Sequence, residues 1–274
     1  MLVSFDTDVV EKWANFSGDY NPIHFDPEAA TNLSGAGLVA HGMLVLLPVK
    51  QAMTEALSAE ILQSRPCNKV NSDLPTKPWV RLKSSFRQPV PQSRDVMIDV
   101  SSAGSKANYA VVEQDRKTTY FQGVLSNGLP PDAPLVGESI AIDQKDLLQR
   151  WEYFQGSFNR ITSAWIFIDA LIFSEFVEQH VSDLISMAIA EREGPQGNAE
   201  RSRFVVQTSQ CVWFDHLSLQ NLAYPGLFNL TYRYKRGEWM ADNDRIIGTV
   251  DLEARLDDRR VLHSEVGLLL QRFD

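Results

Sequence analysis

Cysteine is scarce in this chain: two in 274 residues, Cys67 and Cys211, far apart and in no CxxC arrangement. A disulfide framework is not expected, and a reducing cytoplasm fits. Basic charge is also in deficit. Lys and Arg number 26 against 35 Asp and Glu, for a net charge of −9. That balance argues against general nucleic-acid binding, which needs a basic face. Long apolar runs are missing as well. The stretch from Gly37 to Met53 is broken by His41, Pro48 and Lys50, and that from Ala164 to Phe173 contains Asp169. Neither is expected to span a bilayer. The start, Met1-Leu2-Val3-Ser4-Phe5-Asp6, has neither a basic nor an apolar segment of the secretory kind. Histidine is rare too, with five residues, of which His180, His216 and His263 have no metal-ligand spacing. No metal and no cofactor are expected.

What is present is an ordinary globular composition, 44% hydrophobic and 22% charged. The length suits one large domain or two of about 130 residues. Helical spacing of Val9, Val10, Trp13 and Phe16 after the capping residues Asp6 and Thr7 predicts a first helix that stops at Gly18. Asp26 and Pro27 predict the start of a second, short one. A strongly apolar helix is predicted from about Met43 to Leu62, with Pro48 as a possible kink. A polar excursion loop over 64–78 follows. Alternation then predicts strands at Trp79–Phe86, Val96–Val100, Tyr109–Glu113 and Thr118–Leu125, an antiparallel meander. Residues 128–134 read as a linker.

The segment after the linker repeats the segment before it. VEKWANFSGDYNPIH, from Val10 to His24, aligns without a gap to LQRWEYFQGSFNRIT, from Leu148 to Thr162. Trp13/Trp151, Phe16/Phe154, Gly18/Gly156, Asn21/Asn159 and Ile23/Ile161 are identical at a constant offset of 138. A long apolar helix over about 164–191 and strands near 203–214, 227–234, 246–256 and 261–271 complete the second copy. The chain is therefore read as a tandem duplication, with each copy a long helix and an antiparallel sheet: residues 1–127, a linker over 128–140, and residues 141–274.

The copies differ where chemistry is concerned. Copy one has Asp19 and His24 on either side of the sharp Asn21-Pro22 bend, a geometry that can bring a carboxylate and an imidazole around one small volume. Copy two has Ser157 and Thr162 in their places, and the loop holding His41-Gly42 has no counterpart. Ser and Thr cannot replace an ionised acid and an imidazole near neutral pH.

Gly18-Asp19-Tyr20-Asn21-Pro22-Ile23-His24, followed by Val39-Ala40-His41-Gly42-Met43-Leu44, resembles the MaoC-like, (R)-specific enoyl-CoA hydratase family. The resemblance covers residues 1–125 directly and the remainder only through the repeat. It implies an α+β fold, a tandem double hot-dog in which each half is a long central helix wrapped by an antiparallel sheet, the chain being a monomeric pseudo-dimer or a homodimer. It further implies a hydro-lyase acting on trans-2-enoyl and (R)-3-hydroxyacyl thioesters, borne by coenzyme A or an acyl-carrier protein. Asp19 and His24 would hold a water between them, with Asp19 as its base. Asn21 would orient the segment, and the Gly42 backbone N–H would bind the thioester oxygen. A carrier-linked dehydratase and a non-catalytic acyl-thioester binding protein are the alternatives. Some family members carry a Ser further along the central helix, where this chain has Lys50, so no role is carried over there.

Other candidates have plainer readings. His41 is more simply a residue that buttresses its loop than a catalytic one. Asp169 reads as a helix-end or solvated acid rather than a second polar pocket. Arg81, Lys83, Arg87 and Arg94 read as a solvated sheet face, or else as partners for phosphate. Trp151, Tyr153, Phe154, Phe158 and Trp165 read as core of copy two, or else as an acyl tunnel between the halves.

Overall fold

The computed structural model describes residues 1–34, 37–57, 61–62, 79–193, 203–220, 227, 229–242 and 245–272. The loop expected over 64–78 lies outside them. A short strand β1 (Leu2–Ser4) leads into α1 (Thr7–Ser17), capped by the Asp6 carboxylate, which accepts from Val9 N–H at 3.0 Å. The helix stops at Gly18, whose φ of 69° lies in the left-handed region that favours glycine. A Cβ there would also collide with the Glu178 side chain. A 3₁₀ turn (Pro22–His24) and α2 (Pro27–Ser34) follow, the latter with Asp26 accepting from Glu28 N–H at 2.9 Å.

The central helix α3 (Gly42–Glu55) runs through Pro48 and ends earlier than the apolar run predicts. The meander is β2 (Trp79–Phe86), β3 (Asp95–Ala103), β4 (Lys106–Glu113) and β5 (Thr119–Asn127). Copy two contains β6 (Ile140–Ala141), α4 (Gln144–Ser157), α5 (Ala164–Gln179), α6 (Val181–Glu193), β7 (Arg203–Asp215), a short α7 (His216–Leu219), β8 (Leu230–Asp242), β9 (Arg245–Leu256) and β10 (Arg259–Arg272).

The helix predicted over 164–191 is two helices, broken at His180. That residue caps α5 with φ −130°, its Nε2 lies 3.0 Å from Tyr232 Oη, and its ring stacks on Tyr234 at 4.1 Å. Contact with β8 thus fixes a corner that hydrophobic periodicity does not reveal. Gly156, the counterpart of Gly18, does not end its helix, and α4 runs on to Ser157.

The ten strands of the described residues form one sheet in the order β1-β3-β4-β5-β2-β7-β10-β9-β8-β6. Read from either edge the order is the same, with β1 to β5 matched by β6 to β10. The duplication is therefore a pseudo-twofold centred on the antiparallel β2–β7 pair, where Trp79 faces Asp215 and Lys83 faces Cys211. This is the tandem double hot-dog. Joining the two sheets leaves β1 and β6 outermost, each covering only two or three residues of the long strand beside it, β3 or β8.

The two central helices meet in an apolar core that holds one polar centre. Lys50 of α3 and Asp169 of α5 are both fully buried and form an ion pair. Gln210 of β7 donates to both Asp169 carboxylate oxygens at 3.1 Å and to Ser264 Oγ at 2.8 Å. Asp169 is thus neither solvated nor at a helix end, as its sequence context suggests. Lys50 accounts for it, and the pairing crosses 119 residues of sequence. Burial pushes the Lys50 ammonium pKa down, and Asp169 opposes that shift.

The aromatic cluster of copy two packs against α1. Phe154 lies 5.2 Å from Phe16 and Phe158 lies 6.1 Å from Trp13, ring centre to ring centre. Tyr153 is exposed.

Removing one member of a buried pair strands the other charge, so Asp169→Ala should cost about 3–5 kcal/mol. The double variant Lys50→Met/Asp169→Leu should regain most of that loss or exceed wild type. Urea unfolding midpoints measure both.

Candidate active site

A pocket of about 410 Å³ opens at the start of α3. Copy one supplies its chemistry and copy two much of its wall. The bend from Gly18 to His24, then Val39 to Met43, line one side. Phe173, Phe176 and Val177 of α5 and Val205 to Thr208 of β7 line the other. The volume is that of an ordinary small-molecule site.

The bend is built by local bonds. Asp19 Oδ1 accepts from Asn21 N–H at 3.3 Å, and Asn21 Oδ1 accepts from Ile23 N–H at 3.4 Å. Asn21 Nδ2 donates across the pseudo-twofold to Val205 O at 2.7 Å. Two further bonds fix the end of α1 from copy two, where Ser174 Oγ donates to Phe16 O at 2.9 Å and Arg150 Nη1 does so at 3.3 Å. Arg150 is itself held by Glu178 at 2.5 Å and Asp146 at 3.0 Å.

His24 is buried, with Nδ1 2.7 Å from Val39 O. A carbonyl only accepts, so Nδ1 carries the proton and Nε2 keeps its lone pair. Gln92 Nε2 clamps the same loop by donating to His24 O at 2.7 Å and Val39 O at 3.1 Å. Burial lowers the His24 pKa, against the opposing pull of the Asp19 charge and the Val39 bond. The imidazole is therefore neutral at pH 7.

His41 donates from Nε2 to Asp19 O at 2.9 Å, tying the helix start to the bend. It stacks on His24 with ring centres 3.5 Å apart and planes 29° apart. Burial and the adjacent His24 push its pKa down to about 3. One donor atom each of Asp19, His24 and His41 lies within 4.8 Å of the others. Stacked rings, however, run their in-plane lone pairs side by side instead of converging them on one ion, so the cluster is a poor metal cage.

The His41 side chain caps no N–H of α3. Val45 N–H makes the first helical bond, to His41 O at 3.0 Å, so the N–H groups of Gly42, Met43 and Leu44 have no partner within the helix. Gly42 and Met43 line the pocket. A Cβ on Gly42 would lie 2.6 Å from Phe86 Cε2 and 2.7 Å from Gln207 Oε1, so the crowding explains the glycine.

The site residues expected from sequence, Asp19, Asn21, His24, His41 and Gly42, all line this one pocket. Sequence reasoning missed the wall from copy two. The aromatic cluster offered for a tunnel is absent from the lining, and Phe173, Phe176 and Val177, one turn apart on α5, take that role. Their spacing is visible in the sequence, but which face of an all-apolar helix meets a pocket is not. Among the basic residues considered, Arg87 is at the pocket, exposed at its rim.

At the equivalent position in copy two, a side chain of α3 binds the residues just before α5. Gln51 of α3 accepts at Oε1 from Thr162 N–H at 3.1 Å and Ser163 Oγ at 3.2 Å, and its Nε2 donates to Thr162 Oγ1 at 3.2 Å. Trp165 stacks on Phe214 at 4.1 Å and donates to Thr54 Oγ1 at 3.0 Å.

Both His24 and His41 are held neutral by burial, so the unfolded chain binds more protons below pH 6.5. Stability should hold above that pH and fall progressively as pH drops toward 3. Denaturant midpoints across this range should fall less steeply in His41→Gln than in wild type.

Residues 3–71 match the family model described as MaoC like domain. No curated protein matches the chain. Among solved structures, a protein titled MaoC-like dehydratase is 11% identical with TM-score 0.46, covering 100% of this chain and 96% of its own. The Mycobacterium tuberculosis protein Rv0216, titled as a conserved hypothetical protein with a double hotdog fold, is 9% identical with TM-score 0.49, covering 100% and 94%. The dehydratase domain of PpsC from the same organism is 13% identical with TM-score 0.45, covering 86% and 85%. The segment that carries Asp19, His24 and Gly42 is MaoC-like, set in a chain built as a double hot-dog.

Proposed function

We propose that the protein is a hydro-lyase that interconverts trans-2-enoyl and (R)-3-hydroxyacyl thioesters. One observation carries this reading. Asp19 and the open Nε2 of His24 share a pocket with the uncapped N-terminus of α3 at Gly42. An acid–base pair and a backbone donor for a developing oxyanion are the two components that such an addition requires.

This reading implies the following steps. A water donates hydrogen bonds to the Asp19 carboxylate and to His24 Nε2. Its oxygen bonds to C3 of the enoyl chain as one of its protons passes to the pair. The electrons of the C2=C3 bond move toward the thioester oxygen, where the Gly42 N–H and the positive end of the α3 dipole stabilise the enolate. The pair then returns a proton to C2, so the elements of water are added and the site is restored. Dehydration is the reverse. Asn21 holds the bend to β7, and His41 holds it to the helix start. The apolar side chains of α5 suit an acyl chain, and Arg87 at the rim suits a phosphate of coenzyme A or of a carrier-protein prosthetic arm.

Loss of enoyl absorbance on crotonyl-CoA tests the activity. Asp19→Asn and His24→Ala should each lower kcat by about 10²–10⁴. Ser157→Ala and Thr162→Ala should remain close to wild type. The acidic limb of kcat/KM should lie below pH 6.5, because protonating His24 removes its acceptor. Turnover of carrier-protein thioesters alone would favour a dehydratase of fatty-acid or polyketide assembly. Wild-type rates in both dyad variants would remove Asp19 and His24 from the mechanism.

A further inference from the structure

We propose that Gln207 of β7 is a catalytic residue of this pocket, its side-chain amide donating to the same thioester oxygen as the Gly42 N–H. The inference rests on the hydro-lyase reading and extends it: the oxyanion site has two donors, one from each copy.

A fault in the β7–β10 pairing aims the residue. Gln210, Val212 and Phe214 are buried on the inner face of β7, and Gln210 meets Asp169 of α5 there. Strict alternation would send Gln207 to the opposite face. The register shifts instead, because Gly267 pairs with Ser209 while Leu268 pairs with Gln207, leaving Thr208 as an extra residue. The bulge turns Gln207 inward, opposite the buried Leu268, and both line the pocket. A Cβ on Gly267 would collide with the Ser209 and Thr208 hydroxyls, so glycine at that position admits the bulge. Bulges beside active sites commonly re-aim a side chain in this way.

The amide then lies against the start of α3. Gln207 Oε1 is 2.7 Å from where a Gly42 Cβ would stand, and Nε2 is shielded from solvent with no hydrogen-bond partner among the described residues. The end nearer Gly42 is thus the acceptor Oε1, and with no bond holding Nε2 a half-turn of the amide puts the donor there within the same volume. A buried, unpaired amide donor costs stability unless a ligand satisfies it. The acceptor that the proposed reaction brings to Gly42 is the thioester oxygen, whose charge grows during reaction, so the bond strengthens toward the transition state.

Gln207→Leu removes the donor at similar size, and Gln207→Glu keeps the shape without the donor. Both should lower kcat on crotonyl-CoA by about 10²–10³ with KM little changed. Butyryl-CoA labelled with ¹³C at its carbonyl has no double bond to hydrate and reports the donors directly. Its C=O infrared band should move to lower frequency in wild type and return part of the way in Gln207→Leu. Wild-type kcat in Gln207→Leu, or an unchanged band, would overturn the proposal. If wild type turns over no enoyl thioester, the hydro-lyase reading fails, while the band still decides whether Gln207 touches the carbonyl. Failure of the butyryl thioester to bind, whether borne by coenzyme A or by an acyl-carrier protein, would overturn both. Should the Leu variant not melt cooperatively, the Glu variant decides by the same two readouts.

Discussion

The seam between β2 and β7 sets the position of everything that matters in this molecule. It joins two five-stranded sheets into one, lays α3 against α5, and brings the end of α5 and the start of β7 to the start of α3. Each half supplies what the other lacks. The bend from Gly18 to His24 cannot position itself by local bonds alone, and Ser174, Arg150 and Val205 O hold it from the second copy. Lys50 and Asp169 lie at the same junction. A buried pair of this kind adds little net stability, but it penalises any other register of the two helices, because a shift would strand a charge in the core. Its location between copies rather than within one suits such a use.

Duplication separates folding from chemistry. Phe16, Asn21 and Ile23 recur in copy two as Phe154, Asn159 and Ile161, whereas Asp19 and His24 do not. Gly18 is an instructive intermediate case. It also recurs, yet Gly156 remains helical while Gly18 takes a positive φ, so the same residue ends one helix and not the other. What differs is the chain that follows: in copy one it must turn back toward the start of α3, and in copy two it passes almost directly into α5.

Much of the fold is legible in the sequence because it rests on local rules. The Asp6 cap, the Gly18 stop, the Asp26-Pro27 start and the alternation of the strands are each decided by a few neighbouring residues. The Asp-His bend and the Gly42 helix start are legible for the same reason. What was hidden depends on distant partners. The charge of Asp169 has no local explanation, since its partner lies 119 residues away. The break at His180 depends on Tyr232 and Tyr234 of a later strand. The pocket wall from α5 and the inward turn of Gln207 follow from sheet pairing, and Gly267, the one local mark of the register fault, does not say which facing residue it turns inward.

The joining of two unlike copies in one chain has a consequence for how such a site can change. In a pair of identical subunits, every substitution occurs twice, once near a reacting group and once on the facing wall. Here Gln51 makes hydrogen bonds at one of the two symmetry-related positions, and wall and dyad are separate residues of one chain. The apolar face of α5 can be enlarged, narrowed or roughened without any matching alteration beside Asp19 and His24. The pocket wall and the Asp19–His24 pair can thus change independently, a freedom that two identical subunits would not have.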